Sequence, residues 1–198
     1  RGIDELVIAT DDDRIEAVAR SFGAAVERTS PDCASGTDRA AEVARRRPHA
    51  DIVLNIQGDE PELETEAVSR LVEAMRADDS VRMGTIAHHE PDLAAMANEN
   101  VVKVVVDDAG FALYFSRADL AAASKGGPAL RHAGVYAFRR DLLLEFATWP
   151  PGSRRPSTSV AARVRPLGSL AVRNNTAKLR AWALKGRKIS GSGVGFCG

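Results

Sequence analysis

The segment Gln57-Gly-Asp-Glu-Pro61 places a side-chain amide, a flexible glycine and carboxylates directly after the apolar stretch Ile52-Val-Leu-Asn-Ile56. Such a stretch reads as a strand covered on both faces, and ligands of a parallel α/β sheet collect outside the carboxyl ends of its strands. A Mg²⁺ bound to substrate phosphates takes only one or two protein carboxylates, which makes Asp59 the expected metal ligand; the plainer alternative is a turn residue ahead of Pro61. A second segment, Ser35-Gly-Thr-Asp-Arg39, offers two hydroxyls and a glycine amide at a helix start, with Arg39 a turn further on. That combination meets a polar or anionic ligand, or simply caps the helix. The acids Asp11, Asp12 and Asp13 follow another strand, where Asp12 or Asp13 is expected to cap a helix and complement its dipole. His88 and His89 are neighbours in a strand and face opposite ways, so they cannot form a two-ligand metal site. Cys33 and Cys197 sit in no CxxC or Cys/His cluster and are too few for a disulfide framework, which suits a reducing compartment.

The elements that must position these groups follow from periodicity. Residues 5–10 read as a short parallel strand, after which Ile15, Val18, Ala19 and Phe22 recur at helical spacing until Gly23. A second strand around Ala25 to Glu27 leads through a polar loop to a helix near Asp38 to Arg47. A helix over about Glu64 to Arg76 carries Val68, Leu71, Val72 and Met75 on one stripe. Arg82 to Ala87 is another strand, and Val101 to Val106 and Phe111 to Phe115 flank Asp107-Asp-Ala-Gly110 as a hairpin with glycine at its turn. A strand over Arg131 to Arg139 and a helix over Asp141 to Ala147 complete the pattern before Pro150 and Pro151. The expected fold class is therefore three-layer α/β with a mixed sheet, parallel first and antiparallel later.

Beyond Pro151 the periodicity stops, with a short helix around Lys178 to Lys185 as the sole expected element. Composition changes there too. Of the 198 residues, 44% are apolar and 27% charged, ordinary globular usage with no run long enough to span a bilayer. The formal net charge of zero conceals two opposite parts. Residues 1–150 hold all 27 acids against 17 Lys and Arg, whereas residues 151–198 hold ten Lys and Arg and no acid. The expected division is thus a folded domain over 1–150 and an unpatterned basic tail over 151–198, out of frame or foreign to what precedes it.

Ile8-Ala-Thr-Asp11, Ser35-Gly-Thr-Asp-Arg39, Asn55-Ile-Gln-Gly-Asp-Glu-Pro61, Val102-Lys-Val-Val-Val-Asp107, Ala112-Leu-Tyr-Phe-Ser-Arg117 and Arg131-His-Ala-Gly-Val-Tyr136 lie in an order and spacing that closely resembles the 3-deoxy-manno-octulosonate cytidylyltransferases, or CMP-Kdo synthetases. The resemblance covers about residues 3–150. It implies a nucleotidyltransferase-type, Rossmann-like domain with a mainly parallel mixed sheet. It further implies transfer of a cytidylyl group from CTP to the anomeric hydroxyl of 3-deoxy-manno-octulosonate (Kdo), releasing pyrophosphate with Mg²⁺, toward lipopolysaccharide in the bacterial cytoplasm, by a homodimer. On the matching positions, Ser35, Gly36, Thr37 and Arg39 lie beside the nucleotide, with Gly58. Asp59 holds Mg²⁺, Gln57 approaches the sugar, and these two are the catalytic pair. Arg131, His132 and Gly134 border the sugar-acid pocket, and Tyr114, Ser116 and Arg117 lie near the sugar and the dimer contact. His132 has the alternative of a satisfied interior side chain.

Two parts of the family pattern are not found. The family opens with a strand and a basic phosphate-gripping loop ahead of the position of Arg1, and no GxGxxG or GxxxxGK segment replaces it in residues 1–150. A late Gly-Val-Asp metal ligand has no counterpart in residues 153–198, so little turnover is expected of this chain. The rival readings are a cytidylyltransferase for another acidic sugar, of sialic acid type, a basic tail that binds nucleic acid non-specifically, and a non-catalytic structural module.

Overall fold

The computed structural model describes residues 2–56, 58, 63–90, 93–108, 110–119, 130–149, 162–166, 186–187 and 195–196. The chain forms two compact units: Arg1–Glu62 with Ala137–Arg155 and Lys178–Gly198, and Leu63–Tyr136 with Pro156–Ala177.

The first unit opens with β1 (Ile8–Thr10), α1 (Asp13–Ser21) and β2 (Val26–Arg28). The two strands pair in parallel with Ile8 opposite Val26. Ile8, Ile15 and Ala19 form the buried cluster beneath α1, with Ala24 and Val26 packed on it, which is the spacing that brings one face of a helix onto a sheet. Asp12 caps α1, its carboxylate accepting from the backbone N–H of Arg14 and Ile15, and Asp13 lies in the first turn. This is the capping role expected of the pair. Next come α2 (Gly36–Arg45) and β3 (Ile52–Ile56), with α2 packed against both β1 and β3. Arg47 joins Glu5 and Glu27, and Arg46 joins Glu27 and Glu42, so the end of α2 is tied to β2 and to the chain before β1.

The second unit carries α3 (Thr65–Ala77), β4 (Met83–His89), α4 (Leu93–Ala97), β5 (Lys103–Val106), β6 (Ala112–Ser116) and β7 (Leu130–Arg139). All of Val68, Leu71, Val72 and Met75 on α3 are buried, as their stripe requires. β5 and β6 form the expected antiparallel hairpin. Asp107 closes it through its backbone N–H to the Phe111 carbonyl at 2.9 Å and its carboxylate to the Phe111 N–H at 2.8 Å. Gly110 adopts φ +82°, the left-handed conformation that favours glycine there. The sheet order is β6-β5-β7-β4 followed by β8 (Ala162–Pro166), and β7 also pairs with β3. β7 passes from the second unit into the first at Ala137, where α5 (Arg140–Phe146) follows. The Arg140 guanidinium donates to the Ala44 carbonyl at 3.0 Å and its backbone N–H to the Asp51 carbonyl, fastening α5 inside the first unit.

The α/β class with a mixed sheet holds: β1–β2 and β4–β8 are parallel, β5–β6 and β5–β7 antiparallel. Two features differ from the sequence expectation. β1 and β2 form a sheet of their own. And residues 151–198 do contain strands: β8, parallel to β4, and the antiparallel pair β9 (Gly186–Arg187) and β10 (Gly195–Phe196). β8 is only five residues long, its Ala162 and Val164 alternating with Arg163 and Arg165. Its Pro166 stands opposite Ala87, at the end of a strand that is last in the sheet order, the position in which a strand accepts proline. The helix expected around Lys178 to Lys185, and the change of character expected near residue 152, lie outside the described residues.

Candidate functional site

In the first unit the loops following β1 and β2 and the start of α2 are built around one buried cation. Ser35 is the N-cap of α2: its hydroxyl accepts from the Asp38 N–H at 3.3 Å and donates to the Asp38 carboxylate at 2.6 Å. Thr37 accepts from the amide of Asn55 on β3 at 3.4 Å. Gly36 and Arg39 are buried. The Arg39 guanidinium, 6% exposed, donates through one nitrogen to the Thr29 hydroxyl and reaches the Asp11 carboxylate at 3.0 Å through another. Thr10 is buried as well, its hydroxyl accepting from the Asp12 N–H. Thus Ser35, Gly36, Thr37 and Arg39 are assembled together, and Arg39 orients Asp11 at the end of β1. Gly58 lies in a turn after β3; Gln57 and Asp59 lie outside the described residues. The Cys33 thiol donates to Glu42 at 3.3 Å, and burial with that carboxylate pushes its pKa up to about 11, which disfavours the thiolate.

In the second unit the residues expected on the sugar side divide between two faces of the sheet. Lys103 stands opposite both Ser116 and Arg131, and Val105 opposite Tyr114, so alternation puts Tyr114, Ser116, Lys103 and Arg131 on one face. His132, Gly134 and Tyr136 occupy the other face of β7, with Phe115. Arg131 pairs with Glu90 at 3.3 Å. Tyr114 is exposed, between exposed Leu113 and Phe115. The Arg117 guanidinium is held against the Asn100 carbonyl at 3.2 Å and the Glu99 carbonyl at 3.4 Å. The Arg117 carbonyl in turn accepts from the fully buried Lys103 ammonium at 2.8 Å, which also donates to the Asn98 carbonyl at 2.9 Å. Two cations therefore staple the end of β6 to the turn before β5.

His132 is buried. Its Nε2 lies 2.8 Å from the Thr85 hydroxyl, the Phe115 ring meets its ring edge to face at 4.9 Å, and Tyr136 lies at 5.2 Å. Burial pushes the His132 pKa down to about 4 and raises that of Tyr136. The ring is neutral at physiological pH and acts as a hydrogen-bonding group rather than a cation. Sequence reasoning missed Thr85 and the structural role of Lys103. The signal was there in both cases: a hydroxyl inside the buried strand Met83–His89, and a lysine within the run Val101-Val-Lys-Val-Val-Val106. A buried polar group in such a strand must find a partner.

A parallel β-α-β opening with polar groups gathered at the strand ends, followed by a mixed sheet, defines an α/β protein of the nucleotidyltransferase class. A family model described as cytidylyltransferase matches residues 1–180, and the chain belongs to this family. It is 43% identical over 164 residues to a 3-deoxy-manno-octulosonate cytidylyltransferase of Geobacter sulfurreducens, across 76% of this chain and 65% of the relative. It is 48% identical over 157 residues to one of Anaeromyxobacter sp., across 77% of this chain and 62% of that relative. The chain thus spans slightly less than two thirds of the length of these relatives. Among solved structures it is similar to a CMP:2-keto-3-deoxy-manno-octonic acid synthetase complexed with CTP, with TM-score 0.73 and 33% identity over 83% of this chain and 73% of the other.

Proposed function

We propose that this chain acts in the transfer of a cytidylyl group from CTP to Kdo, giving CMP-Kdo and pyrophosphate. The observation that carries the reading is the 43–48% identity to relatives named for this reaction, and the likeness to a structure complexed with CTP supports it. In the transfer a sugar hydroxyl oxygen forms a bond to the α-phosphorus, the bond to the pyrophosphate oxygen breaks, and the hydroxyl proton passes to solvent. Such a reaction asks for positioning and charge compensation more than for a covalent nucleophile. In this reading the N-terminus of α2 at Ser35, Gly36 and Thr37 meets the nucleotide through its backbone N–H groups, the Ser35 hydroxyl being taken by Asp38, while Arg39 holds Asp11 and Thr29 in the loops beside it. On the sugar side the neutral His132 ring accepts a hydrogen bond from a hydroxyl; Arg131 lies on the opposite face of β7, paired with Glu90, and takes no part in that contact.

The ion of this reading is Mg²⁺: one held through substrate phosphates needs only one or two protein carboxylates, and Asp59 is the carboxylate assigned to it. When bound, the ion would offset charge on the phosphates. The reading extends to a homodimer and to the bacterial cytoplasm; among the described residues no helix is long and apolar enough to cross a membrane.

The test is pyrophosphate release from CTP and Mg²⁺ with Kdo or sialic acid as acceptor. Slow release that requires Kdo is expected, in keeping with the little turnover expected of this chain, and Asp59→Ala is expected to slow it about a hundredfold further, in line with losing one charge-stabilising contact. Release with sialic acid alone, or with neither sugar, overturns the reading.

A further inference from the structure

Between β4 and β7 the hydroxyl of Thr85, 1% exposed, lies 2.6 Å from the Val135 carbonyl and 2.8 Å from His132 Nε2. A carbonyl oxygen has no proton to give, so the single hydroxyl proton of Thr85 is donated to Val135. The Thr85 oxygen is then an acceptor toward the ring, and the proton in the second contact belongs to His132 Nε2. Because burial keeps the ring neutral, with a pKa of about 4, it carries no second proton at physiological pH. Nδ1 is left with its lone pair, and among the described residues it has no hydrogen-bond partner. Phe115 and Tyr136 restrict the ring on its flanks, and Thr85 at 47 residues' separation fixes its rotation.

We propose that Thr85 is a positioning residue that locks His132 as the Nε2–H tautomer, making Nδ1 an acceptor for a hydroxyl group of a polyhydroxylated acid. A carboxylate has no proton to offer such a nitrogen, so the acid group of the same ligand must be met elsewhere. The identity of the ligand rests on the function proposed above; the lock does not.

Nitrogen-15 NMR of the His132 ring in the full chain separates the two parts. In the wild type and in Thr85→Ser, a protonated Nε2 and an unprotonated Nδ1 are expected; in Thr85→Val the two resonances should move toward a mixture of tautomers. A proton on Nδ1 in the wild type, or a Thr85→Val spectrum like that of the wild type, overturns the lock. On titration with Kdo, with binding followed by calorimetry, the Nδ1 resonance should move in the direction of an accepted hydrogen bond, and Thr85→Val should bind about fivefold more weakly, the equivalent of one neutral hydrogen bond. Kdo bound with Nδ1 unmoved overturns the acceptor role. No binding of Kdo overturns both that role and the functional reading on which it rests, while the tautomer in the unliganded protein still decides the lock.

Discussion

The two units position their polar groups by opposite means. In the first, a charge does it: the buried Arg39 guanidinium grips Asp11 and Thr29, and Arg46 and Arg47 tie α2 to the acids around it. In the second, neutral acceptors do it: Val135 takes the Thr85 proton, Thr85 takes that of His132, and Lys103 is held by two carbonyls. Charge pairs keep their geometry over the whole neutral range, whereas a chain of neutral groups depends on one imidazole staying uncharged.

The largest effect expected from this contrast is on pH. Above its unfolded pKa of 6.5 the His132 ring is neutral whether folded or not, and stability is level with respect to this group. Between 6.5 and about 4 the unfolded chain binds a proton that the folded ring refuses. Stability therefore falls as pH is lowered through that window, by about 3 kcal/mol in all. Denaturant unfolding at steps from pH 7 to 4 should show this slope in the wild type and lose it in His132→Phe. In the first unit, Glu27 is held below the usual carboxylate range by Arg47 and Arg46, and Glu42 by the Ser30 N–H. These groups have depressed folded pKa values, so their contribution is present above 4.5 and is lost only as pH falls below it. A slope above pH 5 that survives in His132→Phe would break the contrast.

Replacing the two buried cations sharpens it further. Arg39→Met leaves the Asp11 carboxylate and the buried Thr29 hydroxyl without their donor, for an expected loss of about 2 kcal/mol. Lys103→Met strips a donor from two carbonyls but also removes the cost of burying an ammonium, so about 1.5 kcal/mol is expected. Urea midpoints compare the two directly, and a larger loss for Lys103 would mean that the second unit depends on its charge after all. The smallest effect belongs to Asp12→Ala, which removes the α1 cap and should cost about 1 kcal/mol by the same measurement.

What could be read from the sequence was what is local. The α3 stripe, the Ser35 cap, the Asp107–Gly110 turn and the capping by Asp12 each depend on residues a few positions apart, and each is found in place. The first-unit site is equally compact, since Ser35, Thr37 and Arg39 share one helix turn. The second-unit site is not. Strand register decides that Arg131 and Tyr114 face away from His132, and a partner 47 residues upstream decides the state of its ring. Neither can be had from motif spacing, because register is set by pairing across the sheet. The strand at Ala162–Pro166 was missed for a related reason: five residues with two arginines carry too short an alternation to show without the neighbour they pair with.

The path of the backbone through the two units has a consequence for how the molecule can be made. The second unit begins at Leu63, when only part of the first has been synthesised, and the first resumes at Ala137, in the middle of β7. Each then waits for later stretches, 137–155 and 178–198 for the first and 156–177 for the second. A nascent chain leaving the ribosome therefore holds α2 and β3 without the helix that packs on them until α5 emerges, so neither unit can close before the other is well advanced. For the same reason no single cut in the gene releases either one whole; separating them would take a rewired order of segments.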